Sequence, residues 1–241
     1  MSSQFEGTFQ SRRALGILEL DEGISSESPP SVPRPGSLLD PVTFDRPIIT
    51  EVVQGALPDT VIRGEPSLEG ACLAAARRLV ERGAAVISSD CGYFMRHQAA
   101  VAAAVDVPVV MSSLLLVPTL LRLLAPSHKI AVVAADSRHF GEDLLGLQNP
   151  RDRARVVIGG VEAGDFFRNA LMRPPIPTRI EQIESEVSAC VTRLRAEHSE
   201  IGMLLFECTG FPLITKALRR RTGLPTYDIT DLSRLTLASV I

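Results

Sequence analysis

Tryptophan is absent from the chain, and phenylalanine and tyrosine supply only 5% of it, so it offers no aromatic platform on which nucleobases would stack. An excess of positive charge is missing too. With 25 Lys and Arg against 28 Asp and Glu the net charge is −3 and no basic face stands out, which argues against a nucleic-acid partner. Four cysteines in 241 residues are too few for a disulfide scaffold, and the chain does not start with a basic segment followed by an apolar signal core. A reducing, cytoplasmic setting is therefore expected. The most apolar stretch, Val107 to Leu124, is broken by Pro108, Ser112, Ser113, Pro118 and Arg122, so no membrane span is expected. His97, His128, His139 and His198 lack metal-ligand spacing, no two cysteines are close enough for a zinc site, and no dinucleotide or phosphate-loop fingerprint occurs. Neither metal nor organic cofactor is expected.

What the chain does contain is an alternation of short apolar runs and helical patterns, the signature of parallel sheets flanked by helices. Two runs stand out. Ala84-Ala85-Val86-Ile87-Ser88-Ser89-Asp90-Cys91-Gly92-Tyr93-Phe94 and Met203-Leu204-Leu205-Phe206-Glu207-Cys208-Thr209-Gly210 each read as a buried strand that ends at a thiol and turns into a helix. The two cysteines are 117 residues apart, as are Pro108 and Pro225; the strands at Leu15 and Ile130 differ by 115, and Cys72 and Cys190 by 118. A near-constant displacement is the mark of a duplicated fold. The expected architecture is α/β, two similar lobes related by a pseudo-twofold, with residues 14–113 carrying Cys91 and 114–241 carrying Cys208. Residues 1–13 read as a polar tail. The Pro- and Ser-rich stretch from Gly23 to Pro47 reads as a long loop, a length at which loops are usually functional or disordered.

Ligands of parallel sheets bind outside the carboxyl ends of strands, where both thiols are predicted to lie. A cysteine just before a helix meets free backbone N–H groups and the positive end of the helix dipole, which favours thiolate. The same N–H groups can hold a carboxylate, and Gly92 and Gly210 let the backbone come close to it. Two such loops facing each other would put one thiol on each side of a substrate α-carbon, the geometry of two-base inversion. Cys72 and Cys190, on the apolar sides of helices, read as core residues. Ser89, Asp90, Tyr93 and Phe94 beside the first thiol, Thr209 beside the second, and Ser113, Ser137 and Asp21 at other strand ends complete the candidate substrate contacts, although serine at such positions also caps helices.

These stretches, with Leu15-Gly16-Ile17-Leu18 and Pro108-Val109-Val110-Met111-Ser112-Ser113, resemble the aspartate/glutamate/hydantoin racemase superfamily, which also holds maleate isomerases and arylmalonate decarboxylases. The resemblance runs from about Ala14 to the end. It implies a cofactor-independent enzyme of two α/β lobes with the site between them, commonly a homodimer, acting on a small carboxylate or related molecule. Cys208-Thr209 match the superfamily pattern; Gly92-Tyr93 replace the Asn-Thr that follows the first cysteine in amino-acid racemases, which implies a less polar substrate. Keeping both thiols points to an isomerase: a racemase or epimerase with Cys91 and Cys208 as its acid/base pair. The alternatives are a cis-trans isomerase of maleate type with a cysteine nucleophile, and an inactive protein that only binds small carboxylates.

Overall fold

The computed structural model describes residues 14–23 and 32–240; the expected tail at residues 1–13 lies outside them, as does part of the expected loop. Two four-stranded sheets, all parallel, make the framework. The first contains β1 (Ala14–Glu19), β2 (Ile48–Val52), β3 (Ala84–Ser89) and β4 (Val109–Val110), in the order β2-β1-β3-β4. The second contains β5 (Lys129–Ala134), β6 (Val156–Gly160), β7 (Ile201–Phe206) and β8 (Thr226–Tyr227), in the order β6-β5-β7-β8. Even an irregularity is repeated. The β1–β3 pairing slips between Ala14 and Leu15, and the β5–β7 pairing slips at the equivalent Lys129 and Ile130.

The helices of the first half are α1 (Pro58–Arg63), α2 (Glu69–Glu81), α3 (Gln98–Ala104) and α4 (Val117–Leu123). Those of the second are α5 (Pro150–Arg153), α6 (Asp165–Ala170), α7 (Ile180–Glu197), α8 (Pro212–Thr222) and α9 (Ile229–Ser239). Gly83, at φ +95°, lets the chain leave α2 for β3 in a conformation that other residues resist. Gly16 lets α2 settle on β1, since a Cβ there would lie 2.9 Å from Ala84 Cβ and 3.2 Å from Leu79 Cβ. Two expected helices start late. Residues 92–97 and 113–116 are 3-10 turns that lead into α3 and α4, the second of them capped by Ser112 Oγ accepting from the Leu114 N–H at 3.2 Å. α9 starts in a capping box, with Asp228 bonded to the first turn and Asp231 reaching back to the Asp228 N–H.

The period-2 alternation of the strands sorts their side chains between cores. Ile130, Val132, Met203 and Leu205 join Ile87, Met111 and Leu114 in a core shared by both sheets, while Ala131, Val133, Leu204 and Phe206 pack with α7 and α8. The last helix of each half crosses to the sheet of the other. α4 packs on β5, and Ile229, Leu232 and Leu237 of α9 cover Leu15, Ile17, Val86 and Val110 of the first sheet. Leu38 and Phe44 join that cluster, which anchors part of the segment 32–47 against α9 and the first sheet. Among the described residues no helix is long and apolar enough to cross a membrane.

Buried polar bonds tie the halves together near the thiols. Ser113 Oγ donates to the Phe206 carbonyl at 2.7 Å in a fully buried setting. Ser113→Ala is expected to lower the unfolding free energy by about 1–3 kcal/mol, the cost of stranding a buried acceptor, as read from urea denaturation. An unchanged midpoint would show that this bond adds nothing.

Candidate functional site

β3 and β7 each end in an acid and a cysteine, Asp90-Cys91 and Glu207-Cys208, which the repeat makes equivalent pairs. Both thiols line a single cavity of about 160 Å³ between the two strand ends. Larger grooves occur elsewhere, such as one bordered by Ser188, Arg195 and Arg221 and one bordered by Pro212, Lys216 and Asp231, but neither holds a strand-end thiol. The backbone N–H groups two residues on, Tyr93 for Cys91 and Gly210 for Cys208, pull the thiols downward. The Gly92 and Thr209 N–H groups, again repeat equivalents, have no acceptor among the described residues.

The surroundings of the two thiols reverse the expected thiolate bias. Burial raises both thiols well above their ordinary value, the Glu207 carboxylate raises them further, and one backbone donor each does not compensate. Glu207 and Asp90 oppose the ionisation of either thiol, and the two thiolates would oppose each other equally.

Glu207 was not among the residues singled out from the sequence. It is 1% exposed and lines the cavity, yet neither carboxylate oxygen has a hydrogen-bond partner among the described residues. Burial pushes its carboxyl up to about 8, against smaller downward pulls from the Ala135 N–H and Arg96. Its counterpart Asp90 is anchored, accepting the Leu20 N–H at 3.0 and 3.1 Å, although burial raises its carboxyl as well. The Gly92 position follows from this asymmetry. A Cβ there would lie 2.3 Å from Glu207 Oε1 and 2.5 Å from the Glu207 carbonyl oxygen. On the other side Thr209 has room for its side chain, and its hydroxyl donates to the Asp90 carbonyl.

Of the residues expected at the site, Asp90, Cys91, Gly92, Tyr93, Cys208, Thr209 and Gly210 line the cavity. Tyr93 does so with its hydroxyl already committed to the Asp136 carbonyl and its ring under Arg96, whose guanidinium carbon is 5.5 Å from the ring centroid. The others are elsewhere. Ser89 is fully buried and donates to the Cys91 and Met111 carbonyls, Phe94 is in the core, and Ser113 joins the lobes. Ser137 donates to Glu162 at 2.7 Å, and Asp21 caps turns through the Gly23 and Gly55 N–H groups. Hydrogen bonding inside the fold, or full burial for Phe94, occupies each of them. Phe166 and Phe167 of α6 and Glu22 complete the wall without having been anticipated. No sequence signal marks the two rings, because α6 is too short for a readable periodicity. Glu207 could have been found by aligning the halves, which pairs it with Asp90. Among the described residues no group of three or more side chains is arranged to hold a metal ion.

Two parallel sheets of identical strand order, flanked by helices, are the fold shared with solved racemases and their homologues. Allantoin racemase from Klebsiella pneumoniae superposes with a TM-score of 0.59 at 13% identity, over 94% of this chain and 85% of that one. No family model matches the sequence. The chain is 32% identical over 222 residues to a dimethylsulfoniopropionate lyase of Durusdinium sp. clade D, covering 89% of this chain and 71% of that protein. It therefore belongs to the dimethylsulfoniopropionate lyase family. Dimethylsulfoniopropionate lyase 3 of Emiliania huxleyi (strain CCMP1516) is 27% identical over 240 residues, 95% of this chain but 60% of that protein. The chain thus spans about three-fifths to seven-tenths of the length of these curated relatives.

This membership overturns the isomerase expectation: relatives recognisable by sequence are lyases, and the racemases share only the fold. The physical reason is that removing a proton next to a carboxylate begins both racemisation and elimination. Two strand-end thiols in a sequence are compatible with either outcome.

Proposed function

We propose that the chain is a lyase that eliminates a neutral thioether from a sulfonium propionate, dimethylsulfoniopropionate being the substrate its family suggests. The observation that carries this reading is one small cavity lined by both thiols, with the Gly92 and Thr209 N–H groups open beside them. A void of about 150 Å³ accepts a molecule of benzene size, so a cavity of 160 Å³ suits a short propionate. The two N–H groups hold the carboxylate and stabilise negative charge that spreads onto it as the α-proton leaves.

Cys208, the thiol that keeps the superfamily's Cys-Thr pair, serves as base. Its thiolate takes the α-proton, the C–H electron pair forms the new carbon–carbon double bond, and the bond from the β-carbon to sulfur breaks with its pair remaining on sulfur. Acrylate and neutral dimethyl sulfide result. The leaving group needs no proton, so one base suffices, and Cys91 acts as a neutral thiol donor to the substrate. A cytoplasmic setting, in which the four free cysteines stay reduced, and a homodimer suggested by the superfamily resemblance complete the proposal.

The test is to incubate the purified chain with dimethylsulfoniopropionate, following dimethyl sulfide by headspace gas chromatography and acrylate by proton NMR. Equal amounts of both are expected. A protein that yields neither product is not this lyase.

A further inference from the structure

The cavity is bordered by three carboxyl side chains, Glu22, Asp90 and Glu207, and by no Lys, Arg or His among the described residues. A site for a simple anion would not be built this way. Asp90 is satisfied by the Leu20 N–H, and Glu22 is only half-buried. Glu207 alone is almost completely buried with both oxygens unpartnered; burial makes it hold its proton, and a cation entering the cavity is the partner with which it would ionise. The rings of Phe166 and Phe167 on the same wall supply the attraction that organic cations find at aromatic faces. Glycine at position 92 clears the space in which the Glu207 side chain lies.

Resting on the lyase reading, we propose that Glu207 is the counter-ion of the substrate's sulfonium group and makes the cavity select a cationic propionate over a neutral one of the same shape. The carboxylate end of the substrate stays with the backbone donors at Gly92 and Thr209. Selection by a buried charge also explains how so small a cavity tells a sulfonium propionate from an ordinary short fatty acid.

Isothermal titration calorimetry on the whole chain tests this without turnover. The probes are 3-(trimethylammonio)propanoate, whose amine leaves poorly, and its neutral isostere 4,4-dimethylpentanoate. Wild type is expected to bind the cation at least about tenfold more tightly, a difference of about 1.4 kcal/mol. Glu207→Gln is expected to abolish the preference. A wild type without preference, or a Gln variant that keeps it, overturns the proposal. If the Gln variant does not fold, Glu207→Asp decides, because it keeps the charge but withdraws it by one methylene. Weaker cation binding with unchanged isostere binding supports the assignment, and equal weakening of both overturns it. Absence of dimethyl sulfide release by wild type refutes the lyase reading, whereas the binding ratio refutes the counter-ion alone.

Discussion

Cys208→Ala is expected to lower kcat/KM for the elimination by roughly 10³–10⁴-fold, the contribution of a well-placed general base. Cys91→Ala is expected to lower it by about 10²-fold, as for loss of one donor to developing charge. The inequality matters more than either figure. Inversion uses two bases, one per face, whereas elimination of a neutral thioether uses one, and Cys208 is the thiol that keeps the superfamily's Cys-Thr pair. Serine at either position keeps nearly the same shape and removes the ionisable sulfur, so Cys208→Ser should be as slow as Cys208→Ala if acidity rather than packing is at stake. Cys72→Ala and Cys190→Ala serve as controls, both thiols being buried in helices away from the cavity. Steady-state kinetics on variants with matched thermal midpoints decides the matter. Equal losses at Cys91 and Cys208, or a larger loss at Cys91, would refute Cys208 as the base.

Conformational stability is expected to fall as pH rises from about 4.5 to about 8, and Glu207 is expected to cause much of the fall. Its folded carboxyl titrates at about 8 and the unfolded one near the ordinary 4.5, so within that window the folded chain holds a proton that the unfolded chain has lost. Unfolding then releases protons, and raising the pH favours it. The contribution is fully present below the unfolded value and is gone once pH passes the folded one. At about 1.4 kcal/mol per pH unit the whole span is worth at most about 5 kcal/mol. The groups that face Glu207 are Cys91, Tyr93 and Arg96 from the segment after β3, Asp136 after β5, and the adjacent Cys208. Both thiols and Tyr93 are raised and titrate above the window, and Asp136 is lowered and titrates below it. Asp90, also raised, adds to the slope in the same direction. Urea unfolding at pH 5 and pH 8 measures the change. Glu207→Gln should flatten the curve by several kcal/mol and make the protein more stable than wild type at pH 8. A slope identical to wild type would mean that Glu207 is ionised in the folded protein.

Much of the framework is legible because strand and helix periodicities are local. Lys129–Ala134 and Pro212–Thr222 occur at the expected residues, and the displacement of about 115–118 residues anticipates two sheets of identical order. α1 and α9 were not anticipated, the first because a six-residue helix is too short to display a period. α9 did carry a signal, the paired acids Asp228 and Asp231 just before an apolar run, which form its capping box. The strand-end serines were ambiguous in the sequence for a physical reason. A hydroxyl at a strand end can face a ligand or bond back into the fold, and Ser89, Ser113 and Ser137 do the second.

By itself the sequence determined that two thiols stand at equivalent strand ends of a duplicated parallel α/β fold, because strand patterns, turn residues and the repeat offset are properties of neighbouring residues. Only the tertiary structure decided what those thiols meet. It took the packing of one half on the other to bury Glu207 without a partner, to require glycine at position 92 and to give Thr209 an acceptor at Asp90. The protonation states and charge preference of the cavity depend on burial and on groups more than a hundred residues apart in the chain, which no local pattern encodes.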